Sequence, residues 1–492
     1  MTMHDLILRN GTIVDGTGAP GVPGDIAISG GRIEAIGDVR GEARREIDVS
    51  GLVVAPGFVD VHAHDDGAVV RDPAVDFKIM QGVTTDVVGN CGAGVAPAND
   101  FFRSVFSRGF AGILGEMELP WSATAEYFAA VEAARPACNV AAYVPHGVVR
   151  MNAMGAGRSP SPEHMAAMRA LIEEAMEAGA IGMSTGLIYV PGTYAQTEEL
   201  IELAKVAAAH GGIYTSHIRN EGTGVMEAVE EAIRIGAEAG CPVQISHHKS
   251  SGPGATGMVR QTLARIAQAR AAGHDVTVDV YPYVASSSSL AAMYRLGQGA
   301  AFEQVPAIVA SVKYNKEKYE GRYVSDIAAD LGLPVREAVR KVLEDEENTP
   351  SVIMFVMDED DVRTVVADEG AMVGSDGLPT EGKPHPRLYG TMPRIIQKYV
   401  REQPVLTLEE AVRKMTSLPA RKHRIAERGV LREGWHADLV VFDPEAIADV
   451  ATYEEPRQYP AGIAHVIVNG ELAVESGRQT GARAGRMLRR DT

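Results

Sequence analysis

From about Pro56 to about Ala420 the chain alternates short apolar runs with amphipathic stretches, and few folds accept that rhythm. Eight runs read as strands: Val59–His64, Thr84–Asn90, Val140–Pro145, Gly182–Thr185, Ile213–His217, Val243–His247, Val276–Val280 and Met372–Ser375. Between several of them apolar residues recur at helical spacing. In Pro162–Ala178 these are Met165, Met168, Leu171, Ile172 and Ala175; Glu198–His210, Gly224–Ala239 and Met258–Ala272 read the same way. Parallel strands need crossover connections, so the alternation predicts a parallel sheet in an α/β fold. Eight such units are enough to close a (β/α)8 TIM barrel, which uses about 250 residues or more.

The two ends of the chain differ from the middle. Asp5–Arg9, Thr12–Val14, Asp25–Ser29, Arg32–Ile36 and Arg45–Asp48 read as short strands between turn signals. Ala437–Phe442, Ile463–Val468 and Glu471–Glu475 repeat that texture, with Asn469-Gly470 a hairpin turn. The expected organisation is therefore a small β-sandwich domain built from residues 1–55 and 421–480, around a barrel spanning 56–420. Residues 285–350 are too many for one βα unit and hold Ser286–Ser289, a charged stretch and two helical patterns. They read as an insertion after the seventh strand, placed over the catalytic face like a lid. The basic end, Arg483–Arg490, reads as a solvated terminus.

Polar residues collect where the strands end. His62 and His64 close the first strand with a spacing of two, which puts both on one side. Cys91 follows the second strand, His217 ends the fifth, His247 and His248 the sixth, and Asp376 the eighth. A barrel carries its chemistry at these C-terminal strand ends. Imidazole, thiolate and carboxylate are the ligands a divalent zinc ion takes. Each residue alone has a bland reading; their conjunction at five strand ends points to a metal site. Cys138 and Cys241 read as small buried hydrophobes.

On these residues the chain resembles the amidohydrolase superfamily and, within it, the D-aminoacylases (N-acyl-D-amino-acid deacylases). The resemblance runs through Ala55-Pro56-Gly57-Phe58-Val59-Asp60-Val61-His62-Ala63-His64, Gly89-Asn90-Cys91-Gly92, Ser216-His217-Ile218-Arg219, Ser246-His247-His248-Lys249, Gly374-Ser375-Asp376-Gly377, His385-Pro386-Arg387 and Gly434–Phe442. Many superfamily members bridge two metals with a carboxylated lysine on the fourth strand. Here that strand reads Gly182-Met183-Ser184-Thr185-Gly186, and Cys91 stands as the replacement ligand. The resemblance implies one tightly held zinc on Cys91, His217 and His247, and a second, weaker position at His62, His64 and Asp376. Alternation lets only one of His247 and His248 reach the barrel axis; the family pattern selects His247 and leaves His248 as a packed neighbour.

The expected reaction is hydrolysis of an N-acyl-D-amino acid, a small-molecule substrate, to a carboxylate and a free D-amino acid. Zinc lowers the pKa of bound water from about 15.7 towards 7. Asp376 is the expected general base, and no separate oxyanion donor is evident. Lys249, Tyr189, Tyr281, Tyr283 and Arg387 are candidates for holding the substrate carboxylate; arginine offers it a bidentate fork. The inserted segment supplies Arg295, Lys313, Lys316 and Lys318. Arg295, in the apolar setting Ala291-Ala292-Met293-Tyr294-Arg295-Leu296, is the expected specificity residue for an acidic side chain such as D-glutamate.

Charge and composition narrow the partners. There are 47 lysines and arginines against 65 acids, a formal net charge of -18, which argues against nucleic acid and anionic membranes. Three cysteines are too few for a disulfide framework and fit a reducing compartment. Met1–Gly11 shows no signal-peptide pattern and no apolar run approaches about 20 residues, so a cytoplasmic location is expected. Two other readings share part of the pattern. A cyclic-amide hydrolase of the dihydroorotase or hydantoinase kind shares His62-x-His64 but should carry the fourth-strand lysine. A non-catalytic amidohydrolase-like scaffold should have lost metal ligands.

Overall fold

The computed structural model describes residues 3–109, 117–295 and 298–490. Eight parallel strands line the central barrel: β1 (Phe58–Asp60), β2 (Val83–Val88), β3 (Asn139–Ala142), β4 (Gly182–Gly186), β5 (Ile213–His217), β6 (Val243–Ile245), β7 (Val276–Val280) and β8 (Ala371–Val373). Neighbours pair in chain order, with Val144–Pro145 extending β3 onto β4. The cylinder closes between β8 and β1: Val61 N donates to Val373 O at 3.4 Å and Asp376 N to His62 O at 2.7 Å. These strands are buried on both faces, as parallel strands under a helical shell must be.

The shell follows from local sequence signals. Pro162–Glu177 starts on Ser161, whose side chain accepts from His164 N, with proline at the first turn. Val225–Ala239 stops at Gly240, which takes the left-handed conformation that suits glycine. Met168, Ile172, Ala175 and Met176 of the first helix, and Val225, Val229, Ala232 and Ile233 of the second, face the barrel in one continuous core.

Both chain ends enter one nine-stranded sheet. Its spatial order runs Arg478–Gln479, Glu471–Glu475, Ile463–Val468, Leu439–Phe442, Val53–Pro56, Leu6–Ile13, Val22–Ser29 and Arg32–Gly37, with Glu46–Asp48 also paired to Leu6–Ile13. Val53–Pro56 joins the two ends, antiparallel to Leu439–Phe442, and leads directly into β1. Asn469 and Gly470 both have positive φ (49° and 85°), the conformation of a two-residue hairpin turn. The tail is packed, unlike a solvated terminus. Val140 N donates to Arg486 O at 2.9 Å, Leu488 N donates to Val140 O at 2.7 Å, and Met487 and Leu488 are buried under the start of β3. The apolar pair Met487-Leu488 outweighs the surrounding arginines.

After β7 comes a small unit of its own. Ala285–Ser289, Ala307–Ser311 and Ser351–Phe355 form an antiparallel sheet with Ser351–Phe355 in the centre. Leu290, Met293, Phe302, Val309, Tyr319, Ile327, Val342 and Val352 make its separate core. The unit therefore runs on to Phe355, because its last strand is the one that closes the sheet.

Candidate metal centre and cavity

The strand ends bring one sulfur and four imidazoles together. Cys91 Sγ lies 3.2 Å from His62 Nε2, 3.5 Å from His247 Nε2 and 3.7 Å from His217 Nδ1. A sulfur and a nitrogen on one tetrahedral zinc stand about 3.6 Å apart, given bonds of about 2.3 and 2.05 Å. The sulfur's spacing to these nitrogens suits a cation; His62, Cys91 and His247 come together as one candidate ligand group, and His217 Nδ1 faces the same sulfur. Facing it, His62, His64 and Asp376 form a second group: Asp376 Oδ1 is 3.2 Å from His64 Nε2 and 3.5 Å from His62 Nε2. His62 faces both groups, so Cys91 and His62 join them into one centre.

Backbone geometry aims these side chains. Cys91, His247 and Asp376 all have positive φ, at 53°, 35° and 49°. Non-glycine residues held in that region cost about 1–3 kcal/mol each and cluster at functional sites. His247 reaches the centre through this turn, since regular strand ends at Ile245; strand alternation does not operate there. His248 turns outward, with Nε2 2.8 Å from Thr262 Oγ1. The fourth strand, which lacks a lysine, instead makes room for the Cys91 loop. Ser184 Oγ accepts from Gly92 N at 3.1 Å, and a Cβ on Gly186 would stand 2.1 Å from the Cys91 carbonyl oxygen.

Burial resists charge on these groups, yet their mutual contacts win. The Cys91 thiol is desolvated, but the His62 and His247 charges and hydrogen bonds from His217 and His247 hold it well below the usual thiol range. Asp376 is likewise buried, and Arg387, then His62 and His247, hold it well below the usual carboxylate range. His64 is pushed up to about 9, since its bond to Asp376 and the nearby Cys91 outweigh its desolvation. Such protons are what a divalent cation displaces on binding.

A cavity of about 320 Å³ opens on the centre. His64, Cys91, His217, His247 and Asp376 form its floor; Tyr189, Lys249, Tyr281 and Arg295 line its walls, with Ser286–Ser289 from the inserted unit. The Tyr281 hydroxyl is buried without a partner, and Tyr189 Oη lies 3.1 Å from Ser288 Oγ. Lys318 pairs with Asp345 of the inserted unit, and Lys316 Nζ lies 3.6 Å from Glu381 in the segment after β8, so both are engaged by acids.

Two expected carboxylate holders are placed otherwise. Tyr283 does not reach the cavity: its hydroxyl donates to Asp449 at 2.8 Å. A bond from Tyr283 N to Tyr281 O, 2.9 Å, makes a three-residue turn that breaks the alternation placing residues 281 and 283 on one side. Arg387 is fully buried beneath the wall. Its Nη1 is 3.0 Å from Asp376 Oδ2 and its guanidinium lies 4.4 Å from the Tyr281 ring centre, so it contacts Asp376 directly.

The structure also shows residues that sequence reasoning passed over. Asp279 in β7 meets His62 Nδ1 at 3.2 Å and accepts from His247 N at 2.8 Å. Its signal is a carboxylate inside the apolar run Val276–Val280. Glu221 lies 2.9 Å from His247 Nδ1 and 2.6 Å from Lys249 Nζ, in the loop after β5, where no periodicity marks it. His217, Glu221 and His247 could form a third ligand group, but the Lys249 ammonium stands among them.

The sequence profile of the Amidohydrolase family matches residues 45–263 and 225–474. An N-acyl-D-glutamate deacylase from Alcaligenes xylosoxydans xylosoxydans is 44% identical over 489 residues, covering 99% of this chain and 97% of the relative. A D-aminoacylase from the same organism is 43% identical over 496 residues, covering 99% and 98%. Among solved structures, the N-acyl-D-glutamate deacylase from Bordetella bronchiseptica superimposes with a TM-score of 0.92 at 43% identity, covering 99% of this chain and 100% of the other. That structure is complexed with zinc and a phosphonate inhibitor, a mimic of the reaction's tetrahedral intermediate.

Proposed function

The chain belongs to the amidohydrolase family, and from that premise we propose that it is a zinc-dependent hydrolase of N-acyl-D-amino acids that favours acidic side chains such as D-glutamate. One observation carries the reading: the Cys91 sulfur faces three imidazoles, with the Asp376 carboxylate beside them, beneath a cavity whose walls hold two cations, Lys249 and Arg295. The handedness comes from the relatives, one named for D-glutamate and one for D-amino acids generally.

Cys91, His217 and His247 would hold the tight ion, and His62, His64 and Asp376 a weaker second position. When bound, the ion supplies Lewis acidity to the acyl carbonyl and to the attacking water. Asp376 takes the proton from that water and passes it to the amide nitrogen as the C–N bond breaks, a role worth about 10²–10⁴-fold. The carbonyl carbon leaves as a carboxylate and the nitrogen as the free amine. Arg387 keeps Asp376 ionised and fixes its angle. Lys249 and Tyr281 hold the α-carboxylate from the wall, with Tyr189 beside them. Arg295 on the rim meets the second carboxylate of an acidic substrate. The inserted unit covers the mouth and excludes water. No helix among the described residues is long and apolar enough to cross a membrane. Free cysteines at 91, 138 and 241 suit the reducing cytoplasm we infer for it.

The test measures bound zinc, turnover of N-acetyl- and N-formyl-D- and L-amino acids, and the effect of Cys91→Ala. Zinc on the purified protein, turnover confined to D-substrates, and loss of both in Cys91→Ala are expected. Opening of a hydantoin ring without deacylation would sink the linear-amide assignment. Absence of both zinc and turnover would reduce the chain to a scaffold.

A further inference from the structure

We propose that Glu221 is a positioning residue whose one carboxylate oxygen stands behind both zinc-facing imidazoles, those of His247 and His217, and offsets the Lys249 ammonium beside His247. The inference rests on the zinc reading above.

Ring orientation decides where the hydrogens sit. Cys91 Sγ faces Nδ1 of His217 and Nε2 of His247, so these are the nitrogens offered to a cation. A neutral imidazole carries its hydrogen on the other nitrogen. For His247 that is Nδ1, 2.9 Å from Glu221 Oε1. For His217 it is Nε2, 3.7 Å from the same oxygen and otherwise without a hydrogen-bond partner. One carboxylate oxygen therefore stands behind two ligands on different strands. A carboxylate behind a ligating histidine fixes the ring and raises its basicity.

Lys249 makes the carboxylate necessary. Its Nζ lies only 2.7 Å from His247 Nδ1, and both groups are donors once His247 offers Nε2 to a cation. Glu221 Oε1 accepts from that ammonium at 2.6 Å and stands 2.9 Å from His247 Nδ1, so its negative charge offsets the repulsion between the two donors. Lys249 Nζ also donates to His247 O at 2.8 Å, which leaves its third hydrogen for the cavity. Glu221 thus permits a substrate-binding ammonium to sit against a metal ligand.

The experiment measures zinc affinity of the full-length protein by competition with a chromophoric chelator. It compares wild type, Glu221→Gln, Lys249→Met and the double variant, each checked for folding by its thermal transition. Glu221→Gln should bind zinc 10–100-fold more weakly, the range typical for removing such a partner. Lys249→Met should bind at least as tightly as wild type. The double variant should regain about threefold or more of the loss, the coupling that a double-mutant cycle isolates. With cobalt(II) in place of zinc, Glu221→Gln should retain the thiolate-to-metal absorption, placing the loss on the imidazoles. Wild-type affinity in Glu221→Gln, or a double variant as weak as the single, overturns the proposal. Should Glu221→Gln fail to fold, a tenfold weakening in Lys249→Met overturns it equally. A wild-type protein that takes up no zinc sinks the zinc reading itself, a separate outcome.

Discussion

Two groups of buried charge occupy this barrel within a few residues of each other. At the mouth, Cys91 Sγ is ringed by His62, His217 and His247, with Asp376 beside them. Between β1 and β2, the Lys78 ammonium is held by Asp60, by Asp65 at 2.9 Å and by Asp86 at 3.4 Å, and it donates to Ser375 Oγ at 3.0 Å. All of these groups are buried. The first opens on the cavity; none of Asp60, Asp65, Lys78 and Asp86 lines it. The first uses soft ligands on left-handed backbone; the second is a hard, oxygen-rich cage whose cation is already a side chain. Their carboxylates shift in opposite directions. Arg387 and the imidazoles overcome desolvation and hold Asp376 ionised. At Asp86, desolvation, with Asp65 and Asp60 adding to it, prevails over Lys78 and pushes the carboxyl well above the usual carboxylate range. Burial of charge is thus not what marks the site: one cluster opens on the cavity and the other is closed.

The cage nonetheless bears on the site. Asp60 Oδ1 accepts from His62 N at 3.2 Å and from Ser375 N at 2.8 Å, tying the His62 strand to the Asp376 turn. The comparison is therefore sharpest where a substitution should move chemistry in one cluster and stability in the other. Asp376→Asn should lower kcat by about 10²–10⁴-fold with the fold intact. Zinc titration and steady-state kinetics on one preparation check it; a tenfold loss or less would make another group the base. Lys78→Met should leave three buried acids without their cation and cost about 3–5 kcal/mol, read from the urea midpoint. Stability within about 1 kcal/mol of wild type would erase the distinction between the clusters.

A subtler test lies in the Arg387 link. Arg387→Met removes the positive charge that helps hold Asp376 low, so the folded-state pKa of that carboxyl rises. A base must be unprotonated to act, so activity should be lost at a higher pH as acid is added. The acidic limb of kcat/KM should move up by about 1–3 pH units. An unmoved limb would separate Asp376 from the observed base.

The legible part of the site was its strand ends. His62, His64, Cys91, His217, His247 and Asp376 announce themselves because a barrel exposes C-terminal strand ends and few structural roles demand those residue types there. The eight-strand rhythm was legible for the same reason, since burial on both faces leaves long apolar runs. What escaped was set by local turns and by charge pairing. The three-residue turn at Tyr281–Tyr283 reverses a side chain that alternation points inward. Glu221 lies on a loop whose course depends on where His247 and Lys249 come to rest. Asp279 was visible as an acid amid valines, yet its task appears only when β7 is placed beside β1. Arg387 carries the right chemistry, but its partner is Asp376, a contact that composition does not specify.

Arg295 offers the smallest effect and the most direct reading of substrate choice. It ends the helix Leu290–Arg295 of the inserted unit, exposed on the cavity rim, while Lys249 is buried in the wall. Two cations at different depths can hold two carboxylates of one substrate, the inner α-carboxylate and an outer side chain. Relatives named for D-glutamate and for D-amino acids generally differ by one percentage point in identity to this chain, so overall likeness does not choose between them. The rim does. An exposed charge-assisted contact is worth about 1.5 kcal/mol, so Arg295→Ala should lower kcat/KM about tenfold for N-acetyl-D-glutamate. The same variant should leave N-acetyl-D-methionine within about twofold, since that substrate has no second carboxylate to lose. Equal losses on both substrates would remove Arg295 from side-chain selection and return the preference for acids to the wall itself.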